Sequence, residues 1–300
     1  MKTNKSFKIL LLILGVLAIF AIVYMLCKKK SGDEVTSDTT SGVKSVVDSL
    51  VVNKDKYLNI SIFLDLSDRL VQPMEPSQMA RDTAIVNGIV DFFIEKSFKA
   101  KLLKSENHLR LFFYPTPQNG QINMLSKALD VDLKKLKGVA KKQKLESMKA
   151  SINTSLEQIY TSTLKSKNWI GCDIWGFFSS NKVDMCLRKD CRNIMIILTD
   201  GYVYAENNLQ KKDNAYSYIS SQTLDIPDSK LITKRKGLDN LEVLLMEINP
   251  KDKVKHETRM TEVLEGWFKS MGVKKVSVVT TDISANTLPL MESFLNDDNS

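Results

Sequence analysis

Hydrophobic and polar positions along this chain alternate between two rhythms. Residues 58–65 are apolar at most positions and end in Asp65, the pattern of a strand buried on both faces. Similar runs cover 108–114, closed by Pro115-Thr116-Pro117, then 192–200, then 242–248, closed by Asn249-Pro250, and finally 275–280. Between them the apolar residues recur every three or four positions. Residues 76–99 carry Met79, Ala84, Ile85, Ile89 and Phe92 or Phe93 near helical spacing, behind Pro76-Ser77 as a start signal. Residues 141–164 repeat this with Leu145, Met148, Ile152, Leu156, Ile159 and Leu164. Gly171-Cys172-Asp173 is a turn that opens a short helix at 174–178, and further helices are expected at 257–271 and 288–295. Strands separated by helices of this length predict an α/β fold, a doubly wound and mostly parallel sheet with helices on both faces.

Residues 9–27 break both rhythms with 19 consecutive uncharged residues rich in Leu, Ile and Val. About 20 apolar residues cross the hydrocarbon of a bilayer, whereas the apolar part of a signal peptide has about 7–15. Tyr24-Met25-Leu26-Cys27-Lys28 offers no small-residue cleavage site, and the large Leu26 does not suit a lipoprotein cysteine at Cys27. Residues 1–30 are therefore expected to form an uncleaved transmembrane anchor ahead of the α/β domain. Residues 31–55 lack aromatics, are rich in Ser, Thr, Asp and Val, and read as a flexible tether. Residues 56–300 form the folded domain. Lysines 2, 5 and 8 precede the span and lysines 28, 29 and 30 follow it, so charge gives little orientation. The short amino-terminal tail favours export of the rest, as a single-pass membrane protein.

Composition narrows the partners. The formal charge is +8 and the pI about 9.1. Beyond residue 30, however, there are 37 Lys and Arg against 35 Asp and Glu, so the basic balance belongs to the membrane flanks. Residues 127–149 hold eight lysines against Asp130, Asp132 and Glu146, within a helical insertion at about 120–165. No aromatic residue interleaves there for base stacking, so the segment reads as a solvated helix face and nucleic acid is not an expected partner. Cys186 and Cys191 lie five apart and could pair in an exported domain or stay as two thiols. Without Cys-x-x-Cys, and with only His108 and His256, a zinc site is not expected. His108 reads as a surface or strand-edge residue.

Two of the strand-like runs end in an aspartate and a turn, as Asp65-Leu66-Ser67-Asp68-Arg69 and as Thr199-Asp200-Gly201. A carboxylate in that place sits where open α/β sheets keep their ligand crevice. Gly201 is expected to supply a positive φ after its strand. Neither Ser67 nor Thr199 has a nucleophile elbow or a neighbouring histidine, so both read as structural or metal-directed hydroxyls. Trp169 and Trp175 bracket the Cys172 loop, as packing residues or as an apolar rim.

With Gly171-Cys172-Asp173-Ile174 between them, these motifs resemble the von Willebrand factor A domain family over about residues 56–295. The resemblance implies a metal-ion-dependent adhesion site in which Asp65, Ser67 and Asp200 hold Mg²⁺ or Mn²⁺ and a partner's carboxylate completes the shell. Two positions depart from the family pattern. Arg69 stands where the first motif has its second Ser, and Cys172 stands where the second loop has Thr. A thiol is a soft ligand for Mg²⁺, and a guanidinium there would pair with Asp65 or Asp200. Asp68 and Asp173 are further oxygen donors, Asp173 also being placed to cap a helix. Two readings stay open, a working divalent site or an Arg-filled, metal-free form of it. The function expected is a membrane-tethered protein-binding module without catalysis of its own. The alternatives are a metal-dependent phosphoesterase using Asp65 and Asp200, or a nucleic-acid-associated membrane protein.

Overall fold

The structure, a computed structural model, describes residues 57–99, 102–167, 169, 171–281 and 284–297. The expected anchor and tether lie outside the described residues. Among the described residues, no helix is long and apolar enough to cross a membrane.

Six strands form the central sheet, in the order β3-β2-β1-β4-β8-β9. They are β1 (Tyr57–Leu64), β2 (His108–Phe112), β3 (Val131–Asp132), β4 (Cys191–Leu198), β8 (Leu241–Ile248) and β9 (Lys275–Thr280). Only β3 is antiparallel to its neighbour. The chain builds outward from β1 through β2 to β3, then returns to the other side of β1 to lay down β4, β8 and β9. The order reverses between β1 and β4, and such a switch point leaves a crevice at the carboxyl ends of the strands. Those two strands pair in unbroken register from Tyr57 with Cys191 to Leu64 with Leu198.

Side chains alternate across the sheet and feed two cores. Ile60, Ile62, Leu64, Ile194, Ile196 and Leu198 meet α1 (Gln78–Lys99), α3 (Val139–Ser166) and α7 (Ser284–Asn296) on one face. Phe63, Met195, Ile197, Val243 and Leu245 meet α4 (Ile174–Ser179) and α6 (Lys253–Ser270) on the other. This accounts for the nearly unbroken apolar strands: each position is covered by one layer or the other. Full burial of one such Leu, Ile or Phe side chain contributes about 1.5–3 kcal/mol.

Several expectations need correction. Ala84 is exposed and Leu164 half-buried, while Val86, Tyr160 and Thr163 are buried. The strand expected over 108–114 ends at Phe112. The helical insertion at about 120–165 includes α2 (Gly120–Ala128), whose start is capped by the Asn119 side chain. It sends Ile122, Leu129, Val131, Leu133 and Leu145 into the core. Lys141 is buried rather than solvated and donates to the carbonyls of Leu103 and Ser105, at 3.0 and 2.6 Å. His108 is also buried, bonding Asn59 at 3.0 Å and Asp130 at 2.5 Å, and burial holds its pKa below the usual histidine value. Its rank as a strand-edge residue fails because β3 covers β2. Cys186 and Cys191 are separate, buried free thiols.

The connection from β4 to β8 was not legible as ordered structure. It contains three two-residue strands, β5 (Lys211–Lys212), β6 (Ala215–Tyr216) and β7 (Lys230–Leu231), and the short helix α5 (Ser221–Leu224). Val203 bridges Ile219 and Tyr204 bridges Cys172, which brings this connection over the mouth of the crevice.

Candidate functional site

Asp65 and Asp200 stand just past the ends of β1 and β4, on either side of the switch point. The sheet ladder continues into both loops, with Asp65 N–H donating to the Leu198 carbonyl at 3.0 Å and Thr199 N–H to the Met246 carbonyl at 3.2 Å. This fixed backbone explains why the pair could be read from the sequence.

Asp65 is fully buried and both its carboxylate oxygens are occupied. Oδ1 accepts from Ser67 N–H at 2.8 Å, and Oδ2 accepts from the Thr199 hydroxyl at 2.9 Å. Gly201 N–H donates to that same hydroxyl at 3.2 Å. Gly201 has φ +97°, and a Cβ there would lie 2.3 Å from the Met260 sulfur, so glycine is required on two counts.

Asp200 is 6% exposed. It accepts from Tyr202 N–H at 3.1 Å and, more distantly, from the Gln72 amide at 3.4 Å. Burial, then the nearby charge of Asp65, push its pKa up to about 7. Among the described residues, no ion pair reaches it.

Arg69 is 1% exposed; its charge acts to lower the Asp200 pKa but is outweighed there by burial and Asp65, and its fork is used elsewhere. It pairs in fork geometry with Asp82 of α1, Nη2 to Oδ2 at 2.6 Å and Nη1 to Oδ1 at 3.3 Å. Its Nε donates to the Asp65 carbonyl at 3.1 Å and lies 3.8 Å from Asp65 Oδ2. The expected pairing with Asp65 is thus present but secondary. Burial works against the Arg69 charge, yet Asp82 and then Asp65 more than offset it and raise its pKa. Asp82 also accepts from the Tyr160 hydroxyl at 2.6 Å and the Gln78 amide at 2.8 Å. Gln78 reaches Glu247, which pairs with Arg81 at 2.6 Å. Glu247 sits at φ +68° in an irregularity of β8 that swings its carboxylate onto α1. A buried polar network therefore ties the first site loop to the start of α1. Asp82 was missed, although Gln78, Arg81 and Asp82 interrupt the apolar face of that helix in its first turn, which is the signal that could have found it.

The other expected site residues divide. Cys172 is buried beside Thr199, and burial, then Asp65, push its thiol pKa well above the ordinary value. Asp173 is occupied as the cap of α4, accepting from Gly176 N–H at 2.7 Å and from the Asn208 amide. Asp68 is exposed and faces the crevice. Trp175 is buried packing, its indole donating to the Ile232 carbonyl at 2.8 Å.

The crevice has a volume of about 350 Å³. Ser67, Asp68 and Asp200 supply the acidic and hydroxyl part of its lining, and Trp169, Tyr202 and Tyr204 the aromatic part. Lys251 stands at the rim. His108 lies at the opposite, amino end of its strand, and His256 bonds Asp225 at 2.9 Å.

The donor set fits a divalent cation poorly. Asp65 has both oxygens hydrogen-bonded and a buried guanidinium 3.8 Å away. The second loop offers the protonated Cys172 thiol instead of a hydroxyl, and Asp173 is committed to its helix. Among the described residues, no three His, Cys, Asp or Glu side chains converge as a metal cluster.

No protein-family model and no curated protein matches this chain. Among solved structures, it is similar to an aerotolerance-related membrane protein from Bacteroides fragilis NCTC 9343 with multiple mutations to serines. The TM-score is 0.40 at 11% identity, over 80% of this chain and 98% of that one. It is also similar to the pilus adhesin SpaC from Lactobacillus rhamnosus GG, with TM-score 0.40 at 13% identity, over 81% of this chain and 30% of the adhesin. At this level of similarity, the α/β architecture and its switch-point crevice rest on the chain's own geometry.

Proposed function

We propose that this chain is a membrane-tethered, von Willebrand A-like protein-binding module that works without a metal ion and without catalysis. The observation that carries it is the crevice between β1 and β4, whose lining brings Asp200 together with Trp169, Tyr202 and Tyr204. Aromatic rings beside a few fixed polar groups are the composition of a recognition surface. A hydrolytic reading would need a nucleophile or a metal-held water beside Asp200, and the donor set there fits a metal poorly, while both histidines are engaged elsewhere. The apolar run 9–27 supports the tether, and the Arg69–Asp82 pair supports the metal-independent form.

A photo-crosslinking residue at position 204 of the full chain, compared with one at the exposed Val254, tests this reading. A discrete protein adduct is expected at 204 and not at 254. Equal or absent adducts would overturn it, as would Mn²⁺-dependent phosphoester turnover lost in Asp65→Ala. Calorimetry of the full chain with Mg²⁺ is expected to show no tight binding, and Arg69→Ser is expected to raise affinity for the ion.

A further inference from the structure

We infer that the crevice receives a basic side chain, lysine or arginine, projecting from a protein partner. This rests on the protein-binding reading above and names the chemistry of the occupant. In the adhesion-type arrangement, a metal cation would lie between the protein's carboxylates and a carboxylate from the partner. Here the cationic position behind Asp65 is filled from within by Arg69, which spends its fork on Asp82. Asp200 is left nine-tenths buried against the crevice, with an N–H and a distant amide as its only donors among the described residues. A buried carboxylate without a counter-ion is costly, and a partner's cation entering the crevice would relieve that cost.

The aromatic lining suits the same occupant. Trp169, Tyr202 and Tyr204 all line the crevice. Elsewhere in the domain, ring faces are taken by the protein's own lysines: Lys182 over Tyr114 at 4.5 Å, Lys234 over Trp175 at 4.9 Å and Lys275 over Phe294 at 4.2 Å. Among the described residues, none of the three crevice rings carries such a cation. Tyr202 is held in place, its hydroxyl bonding Ser221 at 3.2 Å and accepting from Lys251 N–H at 3.1 Å. Tyr204 is pinned by its backbone bridge to Cys172 but is 51% exposed, so its ring is accessible to a partner. Aromatic rings and carboxylates lining one crevice bind lysine and arginine side chains and disfavour acidic ones. Lys251 opposes this preference from the rim, where it is exposed and its charge is screened.

Panning a display library of random linear peptides against the full chain in detergent, with Mg²⁺ and with EDTA, tests the inference. Peptides enriched in Lys or Arg are expected in both conditions. For the best of them, Asp68→Asn and Tyr204→Ala, both at exposed positions, are expected to weaken binding about 3- to 10-fold each. Lys251→Ala is expected to tighten it about 2-fold. Melting temperatures matching the parent chain would show that these variants are folded. Enrichment of Asp or Glu peptides that depends on Mg²⁺ or is lost in Lys251→Ala would overturn the basic-ligand inference and leave the protein-binding reading intact. No enriched peptide, together with no adduct at position 204, would overturn both.

Discussion

Arg69 reaches past the site aspartate beside it and closes on Asp82, with 2.6 Å between Nη2 and Oδ2 and both side chains out of contact with water. An ion pair this deep stabilises little relative to apolar replacements, but losing one partner leaves a bare charge in the core. Asp82→Ala is expected to destabilise the domain by about 3–5 kcal/mol in urea denaturation. The double variant Arg69→Met, Asp82→Leu should recover much of that loss. Equal costs for the single and double variants would mean that the pair is not the relevant unit.

Asp200 sets a pH dependence of stability. Its pKa is raised from 3.8 to about 7 in the folded chain, so the folded state holds a proton that the unfolded state releases across that window. Stability should therefore decline as pH rises from 3.8 to about 7, with the full cost present above it. Asp200→Asn is expected to raise the melting temperature at about pH 8 and to change it little at about pH 3, flattening the profile between. An unchanged profile would remove Asp200 as its source.

Gly201 is predicted to be intolerant of any side chain. At φ +97°, with the Met260 sulfur 2.3 Å from the position of a Cβ, Gly201→Ala combines backbone strain with overpacking. A loss of about 2–5 kcal/mol is expected by thermal or urea unfolding. Adding Met260→Ala should relieve the contact but leave the backbone cost.

Within the lysine-rich segment two lysines should behave oppositely. Lys141 is buried on two carbonyls, and Lys141→Ala is expected to cost about 1–3 kcal/mol. Lys134 pairs with Glu106 at 2.9 Å but is largely exposed, and Lys134→Ala should leave the unfolding midpoint essentially unchanged. Equal effects would contradict their different burial.

Much of the sheet and the placement of Asp65, Ser67 and Asp200 could be read from the chain, because strands covered on both faces leave long apolar runs with abrupt ends. What escaped depends on contacts between distant segments. Asp82 matters through Arg69, thirteen residues back, and Tyr160, seventy-eight residues on. His108 looked peripheral because two-residue β3, too short to leave a pattern, lies beside it. Tyr202 and Tyr204 belong to a connection whose strands are only two residues long, so nothing in their spacing marked them as a wall of the crevice.

The unbroken register of β1 against β4 makes the crevice separable from its scaffold. Because Leu64 sits opposite Leu198, the segments beginning at Asp65 and Thr199 start from one fixed baseline. Exchanging them together, with both strands left intact, would change the lining of the crevice without changing the frame. A one-residue insertion in either strand would shift Asp65 past Thr199 and dismantle the site while conserving every residue in it.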